Sequence, residues 1–148
     1  MVTVYCKDLT RLWAFQCTNY YDHVRDEVEG FFLTNGVEDY FFIVTGITEA
    51  VNNSLLHSKS TQSVRLDIRI TVNKKIFIRV ADKGIGFKGN EYIEKLKKAN
   101  HCFFEEKMYD ENGRGVLMMY EIFDRVIYNE KGNEVLLVKD LTKGSKMG

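Results

Sequence analysis

Three small groups of residues have the types and spacings that chemistry needs. The first is Glu49 and Asn53, a carboxylate and a side-chain amide four positions apart within Thr45–Ser58. That stretch lacks proline and contains the strong helix formers Glu49, Ala50, Leu55 and Leu56. As a helix it sets Glu49, Asn53 and His57 in one row at successive i, i+4 steps. Asn is a poor helix former, so the Asn52-Asn53 pair costs local stability that Lys, Glu or Gln would not. The row is either ordinary solvated surface or a set of oxygens held towards a ligand. A nucleotide-borne Mg²⁺ ion would suit the second reading, because it takes one or two protein oxygens and fills its other positions with phosphate and water.

The second group is Asp82-Lys83-Gly84-Ile85-Gly86, which follows directly on an apolar run. It is either a plain turn or a place where glycines let backbone approach a flat or phosphorylated ligand, since no Cβ keeps it away. In the ligand reading, Asp82 accepts a hydrogen bond from an exocyclic amino group such as that of adenine. The third group, Asn112-Gly113-Arg114-Gly115, precedes the apolar stretch Val116–Phe123. Glycines opening a helix there would present free N–H groups and the positive end of the dipole to an anion. Arg114 either chelates phosphate or is an exposed loop arginine.

Periodicity supplies the elements that must position these groups. Val2–Cys6 alternates weakly, as a short edge strand. From Leu9 to about Leu33 the pattern reads as one helix, aromatic on most sides through Trp13, Phe15, Tyr20 and Tyr21, which suits either core or a partner surface. Thr34-Asn35-Gly36 stops it, and the helix bearing Glu49 and Asn53 follows from about Val37 to His57. Its apolar face is Ile43, Ile47, Ala50, Val51, Ser54 and Leu55, with Gly46 on the polar side; His57 also suits a cap on the last carbonyls. Val64–Val72 alternates as a half-buried strand, Asn73-Lys74 turns the chain, and Ile76, Ile78 and Val80 return as its hairpin partner. A helix at Glu91–Ala99, the helix Val116–Phe123, and strands Arg125–Asn129 and Asn133–Lys139 around a Lys131-Gly132 turn complete the pattern.

With 148 residues the chain suits one domain, assigned to residues 1–140, with a polar tail over 141–148. Lys plus Arg and Asp plus Glu number 21 each, so no global field draws in bulk nucleic acid or a membrane surface. Cys6, Cys17 and Cys102 have neither disulfide-framework nor zinc-site spacing, which suits a reducing cytosol. There is no leader pattern and no bilayer-length apolar run, so a cytoplasmic protein is expected.

Taken in order, E-x-x-x-N on a helix, D-x-G-x-G after a strand and G-x-G at a helix start resemble the ATP-binding domain shared by gyrase, histidine kinases and the MutL mismatch-repair protein. Glu49–His57, Val80–Phe87 and Gly113–Val116 with Asp124-Arg125-Val126 look most like stand-alone bacterial anti-sigma factors that are serine-protein kinases. The resemblance covers about Val37–Val138. It implies an α+β two-layer sandwich, its mixed, mostly antiparallel sheet covered on one face by helices, with an ATP lid between the second and third motifs. It also implies roles: Asp82 for the adenine amino group, Gly84 and Gly86 beside it, Asn53 for Mg²⁺, Glu49 as the base, and Gly113, Arg114 and Gly115 for the phosphates. Asn133 stands where similar proteins commonly carry Thr, and Lys83 where small polar or acidic residues are usual.

The function implied is an ATP-dependent kinase that phosphorylates a serine of a small antagonist protein and otherwise holds a sigma factor or similar regulator. Its partners would be proteins, including a second copy of the chain, with much of that surface in the N-terminal third. A non-catalytic ATP-dependent switch of the same fold is the alternative, and a detached histidine-phosphorylating domain a third. No His-bearing dimerisation helix precedes the domain in this sequence, which weighs against the third.

Overall fold

The computed structural model describes residues 9–15, 18–58, 64–98 and 111–143. In chain order the elements are β1 (Leu9–Phe15), α1 (Thr18–Thr34), α2 (Tyr40–Ser58), β2 (Val64–Ile70), β3 (Lys75–Ala81), α3 (Gly89–Lys98), α4 (Glu111–Ile122), β4 (Arg125–Tyr128) and β5 (Glu134–Asp140). The alternation in β2 and β3 does what period two dictates: Val64, Leu66, Ile68, Ile70, Ile76, Ile78 and Val80 all point inward and are fully buried. Lys74 makes the turn between them with a φ of 63°.

These strands form a five-stranded sheet in the order β1-β2-β3-β5-β4, antiparallel at every pairing. Helices pack on its apolar face, contributing Val28, Phe32, Ile43, Ile47, Val51, Val116 and Met119 to the core, with Phe123 just past the end of α4. This is an α+β two-layer sandwich, as the resemblance implies. Among the described residues no helix is long and apolar enough to cross a membrane.

One element departs from expectation. Leu9–Phe15 is strand β1 rather than the start of a long helix, and the helix begins only at Thr18. Leu9 and Leu12, three apart, mimic a helical stripe, yet Leu12 is exposed while Trp13 and Phe15 share the inward face at period two. The open edge of β2 decides the matter by accepting the whole segment in register, from Leu9 opposite Ile70 to Phe15 opposite Val64. The expected strand Val2–Cys6, the three cysteines, residues 99–110 and residues 144–148 lie outside the described residues.

Helix ends and crossings then fix α2. At the end of α1, Gly36 takes a φ of 75° and the Val37 N–H donates to the Phe32 carbonyl, a Schellman closure that turns the chain into α2. Across from α2, α4 runs past two glycine notches. A Cβ on Gly46 would overlap the buried ring of Phe123, and one on Gly115 would press on Glu49 and Asn53. Gly46 is therefore a packing residue, buried under α4 rather than part of a wet face. The buried Lys139 ammonium holds the far end of α4, donating to the Ile122 carbonyl at 3.1 Å.

Candidate functional site

Asn53 has left the solvent that a polar helix face would give it. It is 4% exposed, and its Nδ2 has no hydrogen-bond partner. Glu49, one turn earlier, is half-buried. Both are capped by α4: a Cβ on Gly115 would stand 3.1 Å from Glu49 Oε2, 3.3 Å from Asn53 Nδ2 and 3.6 Å from Asn53 Oδ1. The third sequence motif thus lies directly on the first. Ser54 is buried on the same stretch; nothing is described of the His57 side chain.

The Asp82 loop is held from behind by the β4–β5 turn. Asp82 N–H donates to the Asn133 carbonyl at 2.9 Å, and Asn133 Nδ2 returns to the Asp82 carbonyl at 3.0 Å. The Gly84 N–H donates to Asp82 Oδ1 at 2.7 Å, which fixes the carboxylate's direction. Gly86 and Gly132 take φ values of 79° and 83°, and neither position has room for a Cβ: Gly86 abuts the Lys131 carbonyl and Gly132 the Phe87 carbonyl. Phe87 N–H closes the contact on Gly132 O at 3.1 Å. Asn129 organises the turn itself, its Oδ1 accepting from the N–H groups of Gly132, Asn133 and Glu134. Asn133 therefore sutures the loop, a role its place in the sequence did not announce.

α4 starts earlier than its apolar residues suggest. The helix begins at Glu111, so Gly113 stands in the first turn, where N–H groups point outward, rather than ahead of the helix. Gly115 is a full turn in, where N–H groups belong to the backbone ladder, and its missing side chain serves the contact with Glu49 and Asn53. Arg114 is exposed beside them.

Between these pieces lies one hollow, lined by Ala50, Asn53, Ser54, Val80, Asp82, Phe87, Tyr128, Gly132, Asn133, Glu134 and Val135. A buried carboxylate, and a buried amide whose Nδ2 has no partner, fit a nucleotide base and an ion-bearing phosphate chain. Among the described residues no three His, Cys, Asp or Glu side chains converge, and Mg²⁺ brought by phosphates needs no such cluster. The space itself is about 10 Å³, room for one water.

Tyr128 is the largest of the lining residues that the motifs did not reveal. It is 5% exposed, its hydroxyl is buried without a partner, and burial pushes its phenol above the ordinary range. The Asn53 side chain lies close enough to oppose that shift, although neither its Nδ2 nor the Tyr128 hydroxyl reaches hydrogen-bond geometry. Strand alternation was the available signal, since it turns Val126 and Tyr128 inward and Arg125 and Ile127 outward.

No characterised protein gives a significant sequence match to the chain. The family model of the histidine kinase-like ATPase domain matches residues 17–139, which include all three motifs and the strands and helices around the hollow. With most of its length matched, the chain belongs to the histidine kinase-like ATPase domain family, whose ligand is ATP.

Proposed function

We propose that this chain binds Mg-ATP in the hollow between α2 and the Asp82 loop and transfers the γ-phosphate to a serine of a small antagonist protein. It otherwise sequesters a sigma factor or similar regulator, as an anti-sigma factor does. The observation that carries the proposal is the meeting of the three motifs: Asn53 and Asp82 line one hollow, and Gly115 rests on Glu49 and Asn53.

In this reading Asp82 faces the adenine amino group, its orientation set by the Gly84 N–H. Asn53 supplies a side-chain oxygen to Mg²⁺, and Gly113 and Arg114 meet the phosphates at the start of α4. When bound, Mg²⁺ offsets charge on the phosphates and orients them. Glu49 takes the proton of the incoming serine hydroxyl. The serine oxygen bonds to the γ-phosphorus as the bond from that phosphorus to the bridging oxygen breaks, and ADP leaves. Exposed Tyr20, Leu33 and Phe41 on α1 and α2 support a protein partner.

The second reading is an ATP-dependent switch without transfer. It is favoured by Glu49 lying under α4, a contact that closure or opening of the site would remake. Labelled γ-phosphate from Mg-ATP, offered with a source-cell extract to wild type and Glu49→Gln, separates the two. One small protein labelled by wild type alone is expected; ATP binding with no labelled protein would leave the switch.

A further inference from the structure

We propose that Tyr128 gates the base subsite: in this conformation its side chain holds the place the base must take, and nucleotide enters only as it withdraws. This rests on the reading of the hollow as the ATP base subsite. The hollow has the right chemistry and the wrong size. Its free space is about 10 Å³, whereas a cavity that admits benzene is about 150 Å³, and a purine is larger. Some lining side chain must therefore move before a base can sit against Asp82.

The lining residues differ in their freedom to do so. Val80 and Val135 face each other on the paired strands β3 and β5 in the middle of the sheet. Asn133 is tied to the Asp82 loop; the Phe87 backbone is locked against Gly132 and its half-buried ring packs on Tyr128 itself. Ala50, Asn53 and Ser54 are short side chains on α2. Tyr128 is large, ends the four-residue edge strand β4, and carries a hydroxyl that burial has left unbonded. A hydroxyl without a partner loses no hydrogen bond when its side chain withdraws.

Its neighbours show what moves with it. The Phe87 ring meets Tyr128 edge-on at 5.0 Å. Gly89, the first residue of α3, is pressed on the phenol ring so closely that a Cβ there would stand 2.6 Å from Cγ. Asn90 grips the Tyr128 backbone twice, Nδ2 donating to the carbonyl at 2.8 Å and Oδ1 accepting from the N–H at 3.0 Å. Opening the base subsite is thus coupled to the start of α3.

Stopped-flow binding of a fluorescent ATP analogue with Mg²⁺, comparing wild type, Tyr128→Phe and Tyr128→Val, tests this. Tyr128→Phe keeps the ring, and its observed rate should plateau with nucleotide concentration at the opening rate, as in wild type. Tyr128→Val removes the obstruction; its rate should rise linearly and exceed that plateau at least tenfold. Tyr128→Leu gives the same test with more volume retained, should the Val variant fail to fold by circular dichroism. Wild-type rates that rise linearly, with the Val and Leu variants no faster, would overturn the gate and leave ATP binding intact. Absence of binding in every folded variant would overturn the ATP reading itself, and the gate with it.

Discussion

Replacing Asn53 by Leu should make the nucleotide-free protein more stable and blind to ATP. Asn53 is 4% exposed and its Nδ2 has no partner, so folding strips that amide of water without compensation. Such a group costs about 1–3 kcal/mol, and an apolar side chain of similar shape removes the cost. Leu is branched at Cγ as Asn is and adds up to about 0.5 kcal/mol of helix propensity within α2. Crowding against Gly115 and Tyr128 takes back part of the gain, leaving a net of about 1–2 kcal/mol. At this chain length that is a rise in Tm of about 2–8 °C. Thermal and urea unfolding without nucleotide, with ATP titration alongside, measure both halves. A fall in Tm of several degrees would refute the reasoning, because it would mean that the protein itself uses the Asn53 amide.

Two further outcomes follow from the surrounding structure. Gly132→Ala combines a left-handed φ of 83° with overlap of the Phe87 carbonyl, a backbone atom that cannot swing aside; a loss of at least about 3 kcal/mol is expected in urea unfolding. Alkaline pH should also weaken the fold. Burial raises the Tyr21 phenol to about 12, with the 2.7 Å hydrogen bond to Thr48 opposing. The stability tied to its protonated form is complete below pH 10 and is lost between 10 and about 12, at about 1.4 kcal/mol per pH unit. Tyr21→Phe should flatten that decline in unfolding curves taken from pH 9 to 12, leaving the part that Tyr128 contributes.

What could be read from sequence was what local period determines. Val64–Ile70 and Ile76–Val80 show their faces through simple alternation, and the α2 stripe of Ile43, Ile47, Ala50 and Val51 is buried as a 3.6-residue period places it. β1 was not legible, because its two leucines fit a helix and only the waiting edge of β2 makes Leu9–Phe15 a strand. The site divides in the same way. Glu49, Asn53, Asp82 and the glycines stand out by type and spacing, whereas the burial of Asn53 depends on α4 crossing it at Gly115. Gly86 could be read as clearance for a ligand, yet its neighbour is the Lys131 carbonyl, brought there by the turn that Asn129 builds. Tyr128 enters the hollow through long-range strand register, for which no motif exists.

The hydrogen bonding around the hollow is lopsided, and the lopsidedness has a physical consequence. Its back wall is tied together: Asp82, Gly84, Phe87 and Asn133 exchange bonds with one another or with the Gly132 turn, and two left-handed glycines lock the backbones together. Its front has two buried polar atoms without partners, Asn53 Nδ2 on α2 and the Tyr128 hydroxyl on the edge strand. Buried polar groups are almost always satisfied, so paired exceptions bordering one hollow mark where the fold has forgone stability. A ligand that satisfies the front gains free energy there and finds the back already organised, so the response to binding falls on α2, β4 and the α3 residues attached to Tyr128. In the proposed base subsite the Asp82 carboxylate then stays where the Gly84 N–H holds it, while α2 and β4 make the adjustment.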